Sequence, residues 1–89
     1  ENGADVNSSN KVGETPLFFA SKSGNESIVK YLVENGADVN QRYEDWKTPL
    51  LFACIVGSDT IVKYLVEHGA YVDNAARMLI KKMNMEELL

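Results

Sequence analysis

One cysteine, Cys54, and one histidine, His68, are the most reactive side chains in this 89-residue sequence, and they limit the chemistry open to it. A protein metal site of the usual kind draws three or four ligands from Cys, His and carboxylates, which this pair cannot supply. Cys54 follows Ala53 inside a helical apolar pattern and reads as a small buried thiol rather than a nucleophile. His68 stands directly before Gly69, at the expected end of a helix, where an imidazole serves the helix terminus. Carboxylates adjoin one another only at Glu44-Asp45 and Glu86-Glu87, and neighbouring acids on exposed segments are ordinarily just solvated. There is no nucleophile elbow, no paired-His zinc motif and no phosphate-cradling glycine loop. The expectation is a chain that is not an enzyme, with no metal site and no cofactor.

What remains is binding, and the composition narrows its kind. A net charge of −4 argues against nucleic acid, since a phosphate-binding surface needs clustered Lys and Arg. The one basic cluster, Arg77, Lys81 and Lys82, fits a solvated helix face. No run approaches the roughly 20 apolar residues of a membrane span. Apolar residues make up 45% and charged residues 25%, as in an ordinary folded domain. A lone cysteine makes no internal disulfide, and no basic-then-apolar leader is present. Together they predict an intracellular, cytoplasmic or nuclear setting.

The elements that would position a binding site are set by a repeat. Ile28-Val29-Lys30-Tyr31-Leu32-Val33-Glu34 returns letter for letter as Ile61-Val62-Lys63-Tyr64-Leu65-Val66-Glu67, an offset of 33 residues. The same offset superposes Thr15-Pro16-Leu17 on Thr48-Pro49-Leu50, Gly24 on Gly57, and Gly36-Ala37 on Gly69-Ala70. No gap is needed between residues 8 and 73, and a fixed period of this size marks a stacked array. Residues 1–7 reproduce residues 34–40 without a difference, so the chain opens on the tail of a further copy, and its natural context is expected to continue N-terminally.

Within each copy the local signals predict an arm, a helix, a turn and a second helix. Thr15 and Thr48 are N-caps with Pro at the first helical position, and Gly24 and Gly57 stop the helices. Leu17 and Ala20 form the inward stripe, with Phe19 beside them. Asn25 and Ser58 cap the second helices, Glu26 and Asp59 face their positive ends, and Gly36 and Gly69 suit left-handed C-caps. Ile28, Val29, Leu32 and Val33 fall on one buried face. A single such unit buries too little to stand alone and depends on its neighbours.

After Val72-Asp73 the period fails. A helical pattern resumes about seven residues early, with Ala76, Leu79, Ile80 and Met83 inward and a break at Asn84. Residues 74–89 therefore read as a terminal cap that turns Arg77, Lys81 and Lys82 to water, a Met-rich partner-binding helix being the alternative.

The accumulated pattern, Gly-x-Thr-Pro-Leu-x-x-Ala-x-x-x-Gly-x-x-x-Ile-Val-x-x-Leu-Val-x-x-Gly-Ala-Asp-Val-Asn, strongly resembles the ankyrin repeat. The resemblance implies an all-α solenoid of helix pairs with short β-hairpin fingers. It divides the chain into the tail of a preceding repeat at 1–7, full repeats at 8–40 and 41–73, and the divergent cap at 74–89, together one domain. Three departures stand out. Phe18 and Leu51 take the place where the family usually has His, so apolar contact is expected to replace a polar tie between repeats. Gly13 of the first finger becomes Trp46 in the second, where a bulky residue resists a positive φ and a different turn is expected. Tyr71 and Asp73 replace the arm's Asp and Asn before the cap.

Members of the family generally bind other proteins through finger tips and the exposed face of the first helices. Carried over by position, this selects Ser9, Lys11, Val12, Glu14, Lys22 and Ser23 in the first copy. In the second it selects Arg42, Glu44, Asp45, Lys47, Ile55 and Val56, with Tyr43 and Trp46 alongside. Aromatic anchors within a polar rim are the chemistry of a protein-binding hot spot, which would centre on Tyr43, Trp46, Ile55 and Val56. Equally, Trp46 and Tyr43 would pack down on the finger and on Ile55. The alternatives in other classes are a spacer within a longer solenoid and self-association through an uncapped N-terminal face. The duplicated heptapeptide is scaffold, with Tyr31 and Tyr64 its only members worth testing for contact with a protein partner.

Overall fold

Threonine, proline and glycine punctuate the chain where the sequence places them. A computed structural model describes residues 5–44 and 47–89. Among these residues the chain forms five α-helices: α1 (Pro16–Ser23), α2 (Glu26–Glu34), α3 (Pro49–Val56), α4 (Asp59–Glu67) and α5 (Asn74–Lys82). A 3-10 turn, Glu86–Leu88, follows. The Thr15 Oγ1 accepts a hydrogen bond from the Phe18 N–H at 3.2 Å, and Thr48 does the same for Leu51 at 3.2 Å. Asn25 and Ser58 accept from Ile28 and Ile61 at 3.1 and 3.3 Å, satisfying donors that the first turn leaves over.

All five helices end in the same way, on a residue of positive φ that folds the chain back on the last turn. In α2 the Gly36 N–H reaches the Val33 carbonyl at 3.1 Å and the Ala37 N–H reaches Leu32 at 2.9 Å. In α5 the role falls to Asn84, at φ 61°, with Asn84 and Met85 donating to Lys81 and Ile80 at 3.0 and 3.1 Å. The break expected at Asn84 is thus a helix stop.

Helices α1, α3 and α5 pack in series to form one layer, and α2 and α4 pair behind α1 and α3 to form the other. The molecule measures 39 Å by 24 by 20 Å, the elongated outline of units stacked in a row. One continuous core runs through it, from Leu17, Ala20 and Val29 through Leu50, Ala53, Ile61 and Leu65 to Ala76, Ile80 and Met85.

Two inward assignments differ from the sequence pattern. On α1 it is Phe18 that is buried, with Leu17, Ala20 and Ser21, while Phe19 is 48% exposed. On α2 Val29 and Leu32 are buried, but Ile28 is 46% exposed, whereas its counterpart Ile61 on α4 is only 1% exposed. The identical residues differ because Ile61 lies in the core cluster while Ile28 lies outside it. Burial here follows position in the stack, not the local sequence.

The arms are joined by asparagine. Asn7 donates to the Gly36 carbonyl at 3.1 Å and accepts from the Asp38 N–H at 2.6 Å. Asn40 repeats this on the next arm, to Gly69 at 3.1 Å and from Tyr71 at 2.8 Å. At the third position stands Asp73, which cannot donate. It instead caps α5, its Oδ1 accepting from Ala76 at 2.9 Å. The Asn-to-Asp departure changes an arm clamp into a helix start.

Candidate protein-binding surface

The first finger is a tight turn built by Asn10. Its Oδ1 accepts from the Val12 and Glu14 N–H groups at 3.1 and 3.0 Å, its own N–H donates to Glu14 O at 3.0 Å, and Gly13 donates to Asn10 O at 3.0 Å. Gly13 carries the positive φ of 91° that this geometry requires. The Glu14 carboxylate takes a bond from Asn10 Nδ2 at 2.9 Å, so it is turned back onto the finger. Ser9, Lys11 and Val12 are left exposed, Val12 at 59%.

The second finger is built differently, as the loss of glycine predicts. Tyr43 and Lys47 form an isolated antiparallel bridge, with N···O distances of 2.6 and 3.1 Å, and Glu44 adopts the positive φ, at 52°. Glu44 and Lys47 also form an ion pair at 2.9 Å. No strand longer than this bridge forms among the described residues. Trp46 and Asp45, both in the expected site, lie outside the described residues.

Tyr43 is not a free anchor. Its ring is half-buried and lies 4.7 Å from that of Phe18, in the preceding copy. Phe18 also meets Phe52 edge-on at 4.7 Å and Phe19 at 5.5 Å, so one aromatic cluster ties finger, α1 and α3 together. The apolar contact expected at the histidine slot of the resemblance is therefore present at Phe18. The cluster is flanked by cations, with Lys22 Nζ 5.7 Å from the Phe18 ring centre and Lys47 Nζ 5.6 Å from that of Tyr43. Tyr43 packs on Phe18, and Phe18 was legible as the site of an apolar contact between repeats but not as the hub of an aromatic cluster.

Ile55 and Val56, at the end of α3, are 61% and 46% exposed. Lys22 and Ser23 hold the matching places on α1 and are also exposed, Ser23 Oγ donating to the Phe19 carbonyl at 2.9 Å. Val56 borders Gly24, since a Cβ added there would lie 3.6 Å from Val56 Cγ1. The ends of α1 and α3 thus form one continuous patch, aliphatic on α3 and basic on α1. Arg42 is exposed on the arm leading into the second finger. Exposed apolar residues that the resemblance did not select include Tyr71 at 70%, Met78 at 61% and Tyr31, besides Phe19 and Ile28.

The reactive groups are occupied structurally. Cys54 is buried, and burial first, then the nearby Asp73 charge, pushes its pKa up to about 11. His68 Nδ1 meets the Tyr64 carbonyl at 2.8 Å, which places a proton on that nitrogen, and Asn35 Nδ2 makes the same bond to Tyr31 at 2.7 Å. The His68 ring stacks on Tyr64 with centroids 4.0 Å apart. Among the described residues no three of His, Cys, Asp and Glu converge as metal ligands, and no helix is long and apolar enough to cross a membrane.

Compared with known families, the chain matches the model for ankyrin repeats, in three copies, over residues 2–84. No curated protein matches it.

Proposed function

The chain belongs to the ankyrin repeat family, whose members are generally non-enzymatic protein–protein interaction modules, and from this we propose that it docks a protein partner through its fingers and the exposed ends of α1 and α3. We take the units as 8–40 and 41–73, with 1–7 as the tail of a preceding repeat, 74–89 as the cap and the fingers as minimal β-hairpins. The observation that carries the reading is the contrast at one position of the stack. Two copies with identical second helices carry Lys22-Ser23 and Ile55-Val56 at matching places, and the aliphatic pair stands in solvent. A scaffold does not need two adjacent exposed aliphatics, whereas a docking site does. In this reading Ser9, Lys11, Val12 and Glu14 on one finger and Arg42, Glu44 and Lys47 on the other supply the rim, Tyr43 supports it from below, and Asp45 and Trp46 enter by sequence position, Trp46 as an anchor beside Ile55 and Val56. Partner capture by the chain, compared with Ile55→Asp and Trp46→Ala variants of unchanged helicity, tests this. Capture that both variants retain in full leaves only a spacer within a longer solenoid.

A second reading has its own observation. Phe19 and Ile28 are exposed while Phe52 is half-buried and Ile61 fully buried, so the face ahead of α1 and α2 resembles a stacking face without its neighbour. A further repeat or a second copy of the chain would cover it. Light scattering across a concentration series separates these, since a second copy gives a dimer that Ile28→Lys abolishes.

A further inference from the structure

The charges of the two helix layers are of opposite sense. Helices α1, α3 and α5 hold four side chains charged at neutral pH, Lys22, Arg77, Lys81 and Lys82, all basic and all exposed. None of the three holds an acid. Helices α2 and α4 hold Glu26, Glu34, Asp59 and Glu67 against Lys30 and Lys63. The overall charge of −4 therefore hides a basic layer beside an acidic one. Asp73 caps α5 and the exposed Glu86 and Glu87 follow it, so the positive surface centres on Lys22 of α1 and on Arg77, Lys81 and Lys82 of α5, with exposed Lys11 and Arg42 on the arms beside it. The exposed aliphatics Ile55 and Val56 lie on α3, the middle helix of this layer, which packs against α1, the helix of Lys22, and against α5, the helix of Arg77, Lys81 and Lys82.

From this juxtaposition we infer that the docking surface takes an acidic protein segment, one whose Asp or Glu residues flank an aliphatic or aromatic side chain seated on Ile55 and Val56. The inference rests on the docking role proposed above and adds the chemistry of the partner. The cations steer and select a segment of opposite charge, and the aliphatic pair supplies desolvated contact. A nucleic acid fits less well. It would need positive charge running unbroken along the fingers and helices, whereas Glu14 and Glu44 alternate with Lys11, Arg42 and Lys47 on the fingers.

Selection of random displayed peptides on the intact chain tests the inference. The selected sequences are expected to be rich in Asp and Glu around an apolar residue. Their affinity should fall about tenfold in the Lys22→Glu, Arg77→Glu double variant and less than about twofold in Lys63→Glu on α4. Raising salt from about 50 to about 300 mM should weaken binding to the unaltered chain several-fold, a measurement that does not depend on any variant folding. Peptides that lose affinity in Ile55→Asp but show no acidic enrichment overturn the inference and leave the docking role standing. Peptides insensitive to Ile55→Asp and to charge reversal, or a selection that enriches nothing, overturn both. Tighter binding of a mixed-sequence single-stranded RNA at the same salt also overturns it, in favour of nucleic acid.

Discussion

Ser21 and Cys54 occupy the same place in successive repeats, and their environments make different demands. Ser21 is fully buried and its Oγ has no hydrogen-bond partner among the described residues, whereas the thiol of Cys54 asks for none. An unsatisfied buried hydroxyl costs about 1–3 kcal/mol, part of which its removal recovers. Ser21→Ala should therefore leave stability unchanged or raise it by about 1 kcal/mol in urea unfolding, and a loss of more than about 1 kcal/mol would show a bond of real value there. Cys54 predicts a pH effect. Its folded pKa, about 11, lies above the ordinary thiol value of 9.0, so the unfolded chain loses its thiol proton first as pH rises. Stability from this group is complete below pH 9 and is lost between about 9 and 11, by up to about 2–3 kcal/mol. Burial and the Glu34 charge raise the Tyr64 pKa too, so the fall should be shallower, not absent, in Cys54→Ala.

At the scale of the element, caps and clamps define the unit. The starts and stops of α1 to α4 and the stop of α5 were legible, because each depends on one residue with a local bond to make, such as Thr15, Asn25, Gly36 or Asn84, whereas Asp73, the cap of α5, read only as a departure of the arm. What was not legible depends on neighbours. Phe18 and Phe19 are equivalent to any local pattern, and only the second finger's Tyr43 and the facing Phe52 decide which turns in. Ile28 and Ile61 share their local sequence and differ only in what covers them. The second finger was legible as an altered turn but not in form, since Glu44, a residue type that carries no such signal, adopts a positive φ there. The arm clamp gives a test at this scale. Asn40→Asp keeps the acceptor for the Tyr71 N–H but loses the donor to the Gly69 carbonyl. It should lower stability by about 1 kcal/mol, as thermal unfolding would register, because an exposed bond of this kind is worth about that much. No change in midpoint would mean that the arms are held by Val39 and Ala70 packing alone.

Across the whole molecule, sameness and difference divide the labour. The duplicated Ile-Val-Lys-Tyr-Leu-Val-Glu forms α2 and α4, whose buried residues hold the stack together. The copies part company at the fingers and at the ends of α1 and α3, and there the exposed aliphatics, the aromatic cluster and the basic layer come together. The most direct test of this division is to map amide shifts on the labelled chain as a bound peptide partner is titrated in. The expected shifts cluster at residues 9–14, 42–47, 22–24 and 55–57. Shifts confined to the outer residues of α2 and α4, around Lys30, Tyr31 and Lys63, would contradict it and make the repeated helix the binding element.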